Sequence, residues 1–242
     1  MSINNKTGIG GAFVLGLFVF LGLTSLGYLL GHSAIKFKEY ERTVTVKGLS
    51  EREFLADIVI WPIQFNVAAN DLEVLYNLID SNTKKIQTFL EEKGISKEEI
   101  SYTPPSITDK LAQQYANQAK AEFRYTAFQV VTVYSKNIKT VRNVMGKLSE
   151  LGKKGIVITG GNYETQTEYL FTRLNEVKPE MIEEATRKAR EVAIKFATDS
   201  NSQLGKIKKA SQGQFSINVR DKNNPHIKKV RVVSTVVYYL SD

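Results

Sequence analysis

The chain has no cysteine among its 242 residues. Disulfides, thiolate nucleophiles and cysteine-ligated zinc or iron–sulfur centres are therefore excluded, and folding needs no oxidising compartment. Histidine is almost as scarce. His32 and His226 are the only two, too few for a multi-histidine metal site within one chain. Neither Gly-x-x-x-x-Gly-Lys-Ser/Thr nor Gly-x-Gly-x-x-Gly occurs, so no phosphate-cradling loop is signalled. Gly160-Gly161 alone reads as a turn or bulge. The strained Gly-x-Ser-x-Gly elbow of a serine nucleophile is also missing. These absences leave no catalytic, cofactor-binding or metal-ligating residues to nominate from a motif, and no cofactor is expected.

What is present begins with an apolar run. Thr7 to Ile35 carry no charged side chain if His32 is neutral. A bilayer core about 30 Å thick is crossed by roughly 20 helical residues, so the run can span a membrane. The chain then reads as a short tail (1–8), a transmembrane signal anchor (9–31), a linker (32–41) and a globular domain (42–242). Gly31-His32-Ser33 has the small-residue spacing of a signal-peptidase site, so cleavage after Ser33 is the competing reading. The apolar core exceeds the 7–15 residues typical of a signal h-region, which favours an uncleaved anchor. Lys6 and the amino terminus flank one side, and Lys36, Lys38 and Arg42 the other. Taken alone, that bias slightly favours a cytoplasmic body.

The body has ordinary globular composition, 42% hydrophobic and 24% charged for the whole chain. Thr43–Val46 alternates as a strand, and Lys47–Glu51 reads as a turn. Leu55–Val67 reads as a long strand whose odd positions, from Leu55 and Asp57 through Val59, Trp61, Ile63, Phe65 and Val67, form an apolar face. Pro62 cannot donate to a ladder and implies an edge or a bulge. Asn70 and Glu73 have capping-box spacing for a helix ending near Gly94, and Ser96 and Glu99 for a short turn. Ile100–Thr103 is a strand stopped by Pro104-Pro105. Asp109–Glu122 is a Gln/Ala stretch, either a loose helical insertion or a hairpin tip. Phe123–Tyr134 is a strand, and Ile138 to Leu151 carry one helical stripe ending at Gly152 and Gly155. Ile156–Ile158 and Tyr163–Phe171 are extended. Pro179 suits the first turn of a third helix, in which Ala185, Ala189, Ala193 and Ala197 recur every fourth residue and Gly205 marks the end. Lys206–Val219 and Lys228–Leu240 are strands joined by the turn Asp221–Pro225. This order specifies an α+β fold with a mainly antiparallel sheet and packed helices, preceded by one transmembrane helix.

Two sets of polar residues invite functional readings. The formal net charge is +8, and Lys206, Lys208, Lys209, Lys228, Lys229 and Arg231 form a candidate anionic-ligand patch. Solvated faces, and edge strands guarded by lysine, explain the same residues without function. A membrane-anchored chain has little access to DNA, so no nucleic-acid partner is expected. Asp57 is the one acid on the long apolar strand face. It is a candidate general base, or else a strand-end carboxylate bonded to a turn.

The chain resembles the SIMPL-domain family of exported and envelope proteins over roughly residues 42–240. The resemblance rests on Val44-Thr-Val-Lys-Gly48, Ala56-Asp57, Leu90-Glu-Glu-Lys-Gly94-Ile95, Tyr125-Thr-Ala127, the glycines between Leu151 and Tyr163, and the alanine helix leading to Leu204-Gly205-Lys206-Ile207. The family often has Pro-Asp where this chain has Ala56-Asp57, and Gly-Tyr where it has Arg124-Tyr125. The resemblance implies an α+β fold, export, self-assembly and a link to stress tolerance without an accepted enzymatic activity. It therefore implies a homo-oligomer held by residues 9–31 in the cytoplasmic membrane, single-pass, with the body periplasmic or extracellular. That implication overrides the weak charge bias.

Overall fold

The computed structural model describes residues 9–39, 42–112, 122–160 and 165–241. It has an α+β architecture with antiparallel sheets. In chain order its elements are α1 (Ile9–Glu39), β1 (Thr43–Leu55), β2 (Ile58–Ala69), α2 (Leu72–Glu92), a 3-10 turn (Lys97–Glu99), β3 (Ile100–Tyr102) and β4 (Ser106–Asp109). There follow β5 (Tyr125–Ser135), α3 (Ile138–Met145), α4 (Ser149–Lys153), β6 (Val157–Thr159), β7 (Glu168–Leu170), α5 (Leu174–Asp199), β8 (Gln203–Gln212), β9 (Ser216–Val219) and β10 (Ile227–Ser241). Most of the Gln/Ala stretch lies outside the described residues.

Two compact units are distinguished. One comprises Met1–Ser50, Glu180–Phe215 and Val232–Asp242, and the other Glu51–Pro179 and Ser216–Arg231. In the second unit a six-stranded sheet has the order β3-β5-β2-β6, with β4 also on β5 and β7 also on β2. The β2–β5 ladder runs unbroken from Val59↔Ser135 to Ala69↔Tyr125. Val59, Trp61, Ile63 and Phe65 are buried with Leu75, Ile79, Ile86 and Phe89 of α2. The period-two pattern thus selects the buried face as expected, except that Leu55 is exposed.

Several local expectations are corrected. The segment Lys47–Glu51 is not a turn, because β1 passes straight through it to Leu55. Gly48 serves close approach instead. A Cβ built there would lie 1.8 Å from the Ala185 carbonyl oxygen and 2.5 Å from the Ala189 nitrogen. Pro62 does not mark an edge, since β2 is central in its sheet. On the side away from β5, β7 pairs with Ile58–Ile60 and β6 with Gln64–Asn66. Pro62 sits opposite the interval between them, where a missing donor costs nothing.

The cap of α2 is Asp71, whose carboxylate accepts from the Glu73 and Val74 amides at 2.9 and 3.0 Å. Asn70 instead accepts from the Arg124 amide at 2.8 Å. The stripe from Ile138 to Leu151 is broken at Gly146 into α3 and α4. Helix α5 starts five residues before Pro179, which lies inside it. Gly205 belongs to β8, where an added Cβ would come within 3.1 Å of the Tyr239 carbonyl oxygen. The anticipated strand Lys206–Val219 is two strands, β8 and β9, interrupted where the Gly213 amide donates to the Val233 carbonyl at 2.8 Å.

In the first unit the alanine ridge behaves as its spacing indicates. Ala185, Ala189, Ala193 and Ala197 are buried, and Ala189 and Ala193 pack with Val46, Val236 and Tyr238. Glu184 is not the free surface residue its position off the ridge implies. It accepts a 2.8 Å hydrogen bond from the Ser50 hydroxyl, and Ser50 is 0% exposed. It also pairs with Lys188. Strand β10 lies between β1 and β8, so the Val- and Tyr-rich terminal segment is central in its sheet.

These contacts predict a contrast between glycines. Gly48→Ala should cost about 1–3 kcal/mol or more, as overpacking does. Gly152→Ala, whose Cβ meets nothing within 4 Å in helix α4, should be neutral or stabilising by up to about 1 kcal/mol. Thermal melting of the two variants checks this, and equal melting points would refute the close packing of α5 on β1.

Candidate functional site

Asp57 follows β1 directly and precedes β2. Its carboxylate accepts from the Thr172 amide at 3.0 and 3.1 Å and from the Thr172 hydroxyl at 3.1 Å. The Arg173 guanidinium adds a 3.3 Å bond. Its own amide donates to the Leu170 carbonyl at 2.8 Å. A carboxylate receiving this many donors fastens the end of β7 to the start of β2. The geometry matches the strand-end reading and leaves the oxygens committed to structure.

The six basic residues fall in different units. Lys206, Lys208 and Lys209 are exposed on β8 in the first unit. Lys206 lines a groove of about 1030 Å³ with Arg187, Arg190, Ile194 and Ile207, and the Lys208 ammonium lies 5.3 Å from the Tyr239 ring centroid. Lys228, Lys229 and Arg231 belong to the second unit. There Lys229 pairs with Glu51 at 3.4 Å. Lys228, one residue away on the strand, points to the opposite face. Burial pushes the Lys228 ammonium below its ordinary pKa, and the charge of Glu168 opposes that shift. Arg231 is exposed.

A different cluster in the second unit was not visible in the sequence. His226 follows the Asp221–Pro225 turn, which Asp221 organises by accepting from the Asn223 and Asn224 amides. The His226 carbonyl accepts from the Ala56 amide at 2.8 Å. Its ring lies 6.0 Å from that of Tyr169, and its Nε2 contacts the Arg142 guanidinium of α3. A guanidinium can only donate, so Nε2 accepts and the imidazole proton sits on Nδ1. That nitrogen is buried and has no partner among the described residues. Burial first, then the charges of Arg142 and Arg220, lower the His226 pKa, against an opposing effect of Asp221. Burial raises the Tyr169 pKa, and Arg142 opposes it. His226, Arg142, Lys139 and Asn143 line a cavity of about 520 Å³ with Leu55, Ala56 and Ile138. The sequence could flag His226 as the body's lone histidine, but nothing in its spacing joins it to Arg142, 84 positions away.

Among the described residues no three histidine or acidic side chains are placed to hold a metal ion. At the amino terminus, Gly10–Phe37 of α1 is long and apolar enough to cross a membrane, as an anchor or a signal sequence does. Residues 44–236 match the model of the SIMPL family, described as a protein of unknown function (DUF541). The chain belongs to that family, as the order of its motifs implies. The family has no known catalytic role. No curated protein matches the chain.

The environment of His226 predicts a pH dependence. Because the folded state lowers its pKa below 6.5, the fold favours the neutral ring. The unfolded chain then binds more protons, so stability rises with pH. The contribution is complete above 6.5 and is lost as pH falls through that value towards the lowered folded one. Denaturation midpoints at pH 7.5 and about 5.5 should therefore differ more for the wild type than for His226→Gln. Identical differences would show that the folded state does not disfavour the imidazolium.

Proposed function

We propose that the chain is a membrane-anchored cell-envelope protein, with its body outside the cytoplasmic membrane, which assembles with copies of itself and catalyses no reaction. Family membership and the apolar helix support the anchored envelope setting. The commitment of Asp57 to Thr172 and Arg173 supports a non-catalytic reading, and a part in stress tolerance belongs to the same proposal.

The observation that carries assembly is apolar surface in the first unit. Ile194, 47% exposed on α5, and Ile207, 49% exposed on β8, line one groove; Phe196, two positions from Ile194 on the helix, faces elsewhere. Side chains of this size and exposure grouped on one face mark an interaction surface. Strand β8 is an edge, but Lys206, Lys208 and Lys209 oppose strand-to-strand addition along it. Assembly is therefore assigned to the helix α5 face and its groove. The full chain in detergent should sediment above monomer mass at micromolar concentration, and Ile194→Glu with Ile207→Glu should return it to monomer. A wild type that stays monomeric over a hundredfold concentration range would sink the proposal.

The absence of cysteine makes topology directly readable. Lys222→Cys, in the exposed turn before β10, should react with a membrane-impermeant maleimide in spheroplasts without lysis. Labelling only after lysis would reverse the orientation, and mature chains beginning at Ala34 would show a cleaved signal sequence.

A further inference from the structure

The cavity beside α3 combines features that a merely solvated surface does not require. Lys139 and Arg142 stand three residues apart on one helix, where like charges repel. Neither has a carboxylate within ion-pair reach among the described residues. The acid whose charge acts on His226, Asp221, is already held by Arg220 at 2.8 Å. Arg142 donates instead to a neutral imidazole, which leaves its positive charge uncompensated. Asn143 adds an amide donor to the same lining, and Leu55 and Ile138 supply apolar wall. A cavity of about 520 Å³ lies within the roughly 300–1,000 Å³ usual for small-molecule sites.

We propose that this cavity binds a small molecule with an oxyanion head, carboxylate or phosphate, and a short apolar body, the head lying against Arg142 and Lys139 and the body against Leu55 and Ile138. A guanidinium and an ammonium converging on one opening favour an oxyanion over a neutral or cationic group. The apolar lining favours a ligand with some carbon over a bare ion. No bond is made or broken. This assignment is independent of the assembly reading, which concerns α5 and β8.

Hexyl phosphate is the probe. The two histidines make the test simple, because His226 reports on the cavity and His32, in α1, reports on unspecific partition into the lipid. Isotope-labelled histidine in the full chain, held in nanodiscs, is followed by NMR as hexyl phosphate is added at constant ionic strength. His226 resonances should shift saturably while those of His32 do not, and hexanol at equal concentration should leave His226 unmoved. The bound anion should also raise the pH at which His226 titrates, since it adds a negative charge beside the ring. Arg142→Gln should weaken half-saturation roughly tenfold or more, as loss of a charge-assisted contact does. Lys139→Gln, at an exposed position, should weaken it in the same direction. An unsaturable shift, or affinity unchanged in both variants, would overturn the site. Inorganic phosphate binding as tightly as hexyl phosphate would overturn the apolar-bodied ligand.

Discussion

The first unit depends on how closely α5 can approach β1. A helix lying against a strand is normally held off by the side chains of both. Here the helix offers Ala185 and Ala189, and the strand offers Gly48, whose missing Cβ leaves room for the helix backbone itself. That approach closes the cluster of Val46, Ala189, Ala193, Val236 and Tyr238. It also brings the Ser50 hydroxyl to Glu184, so a polar pair completes the contact where the apolar ridge ends. An extra methyl group at Gly48 has nowhere to go, because what it meets is backbone rather than a rotatable side chain.

The second unit answers a different problem, that of a long central strand interrupted on one side. Strand β2 receives continuous pairing from β5 and discontinuous pairing from β6 and β7. Pro62 fits only because the pairing lapses where its nitrogen has nothing to give. At the start of β2, Asp57 compensates by binding the residues that follow β7. A carboxylate that looks isolated on an apolar face in the sequence is, in three dimensions, the most heavily bonded side chain of its turn. The reactive appearance of a lone acid and its structural use are distinguished by who donates to it.

Charge follows the same lesson. The basic residues most conspicuous in the sequence, on β8 and β10, are spread over two units and partly matched, Lys229 by Glu51 and Lys208 by the Tyr239 ring. Less conspicuous cations on α3 converge on one cavity without acids to match them among the described residues. Density of lysine along a chain measures solvation. What concentrates a field is the convergence of cations on a concave, partly apolar surface.

By itself the sequence determined the features carried by local pattern. The apolar run from Thr7, the alternating faces of β2 and β5, the alanine ridge, the positive-φ Gly94 that ends α2 and the turn at Asp221 all depend on neighbours within a few residues, and each was legible. The α+β class and the family followed from their order. Local pattern misled where one residue type serves two purposes. Gly48 and Gly205 read as punctuation, but each sits in a strand where another backbone passes close. Pro62 read as an edge but lies opposite a gap in pairing. Only the tertiary structure decided these, because the partner that explains each residue is distant in the chain. The cluster of Arg142, Tyr169 and His226 is the clearest case. Three residues from three separate stretches of the chain acquire a shared electrostatic character only when the fold brings them together, and no spacing in the sequence records that.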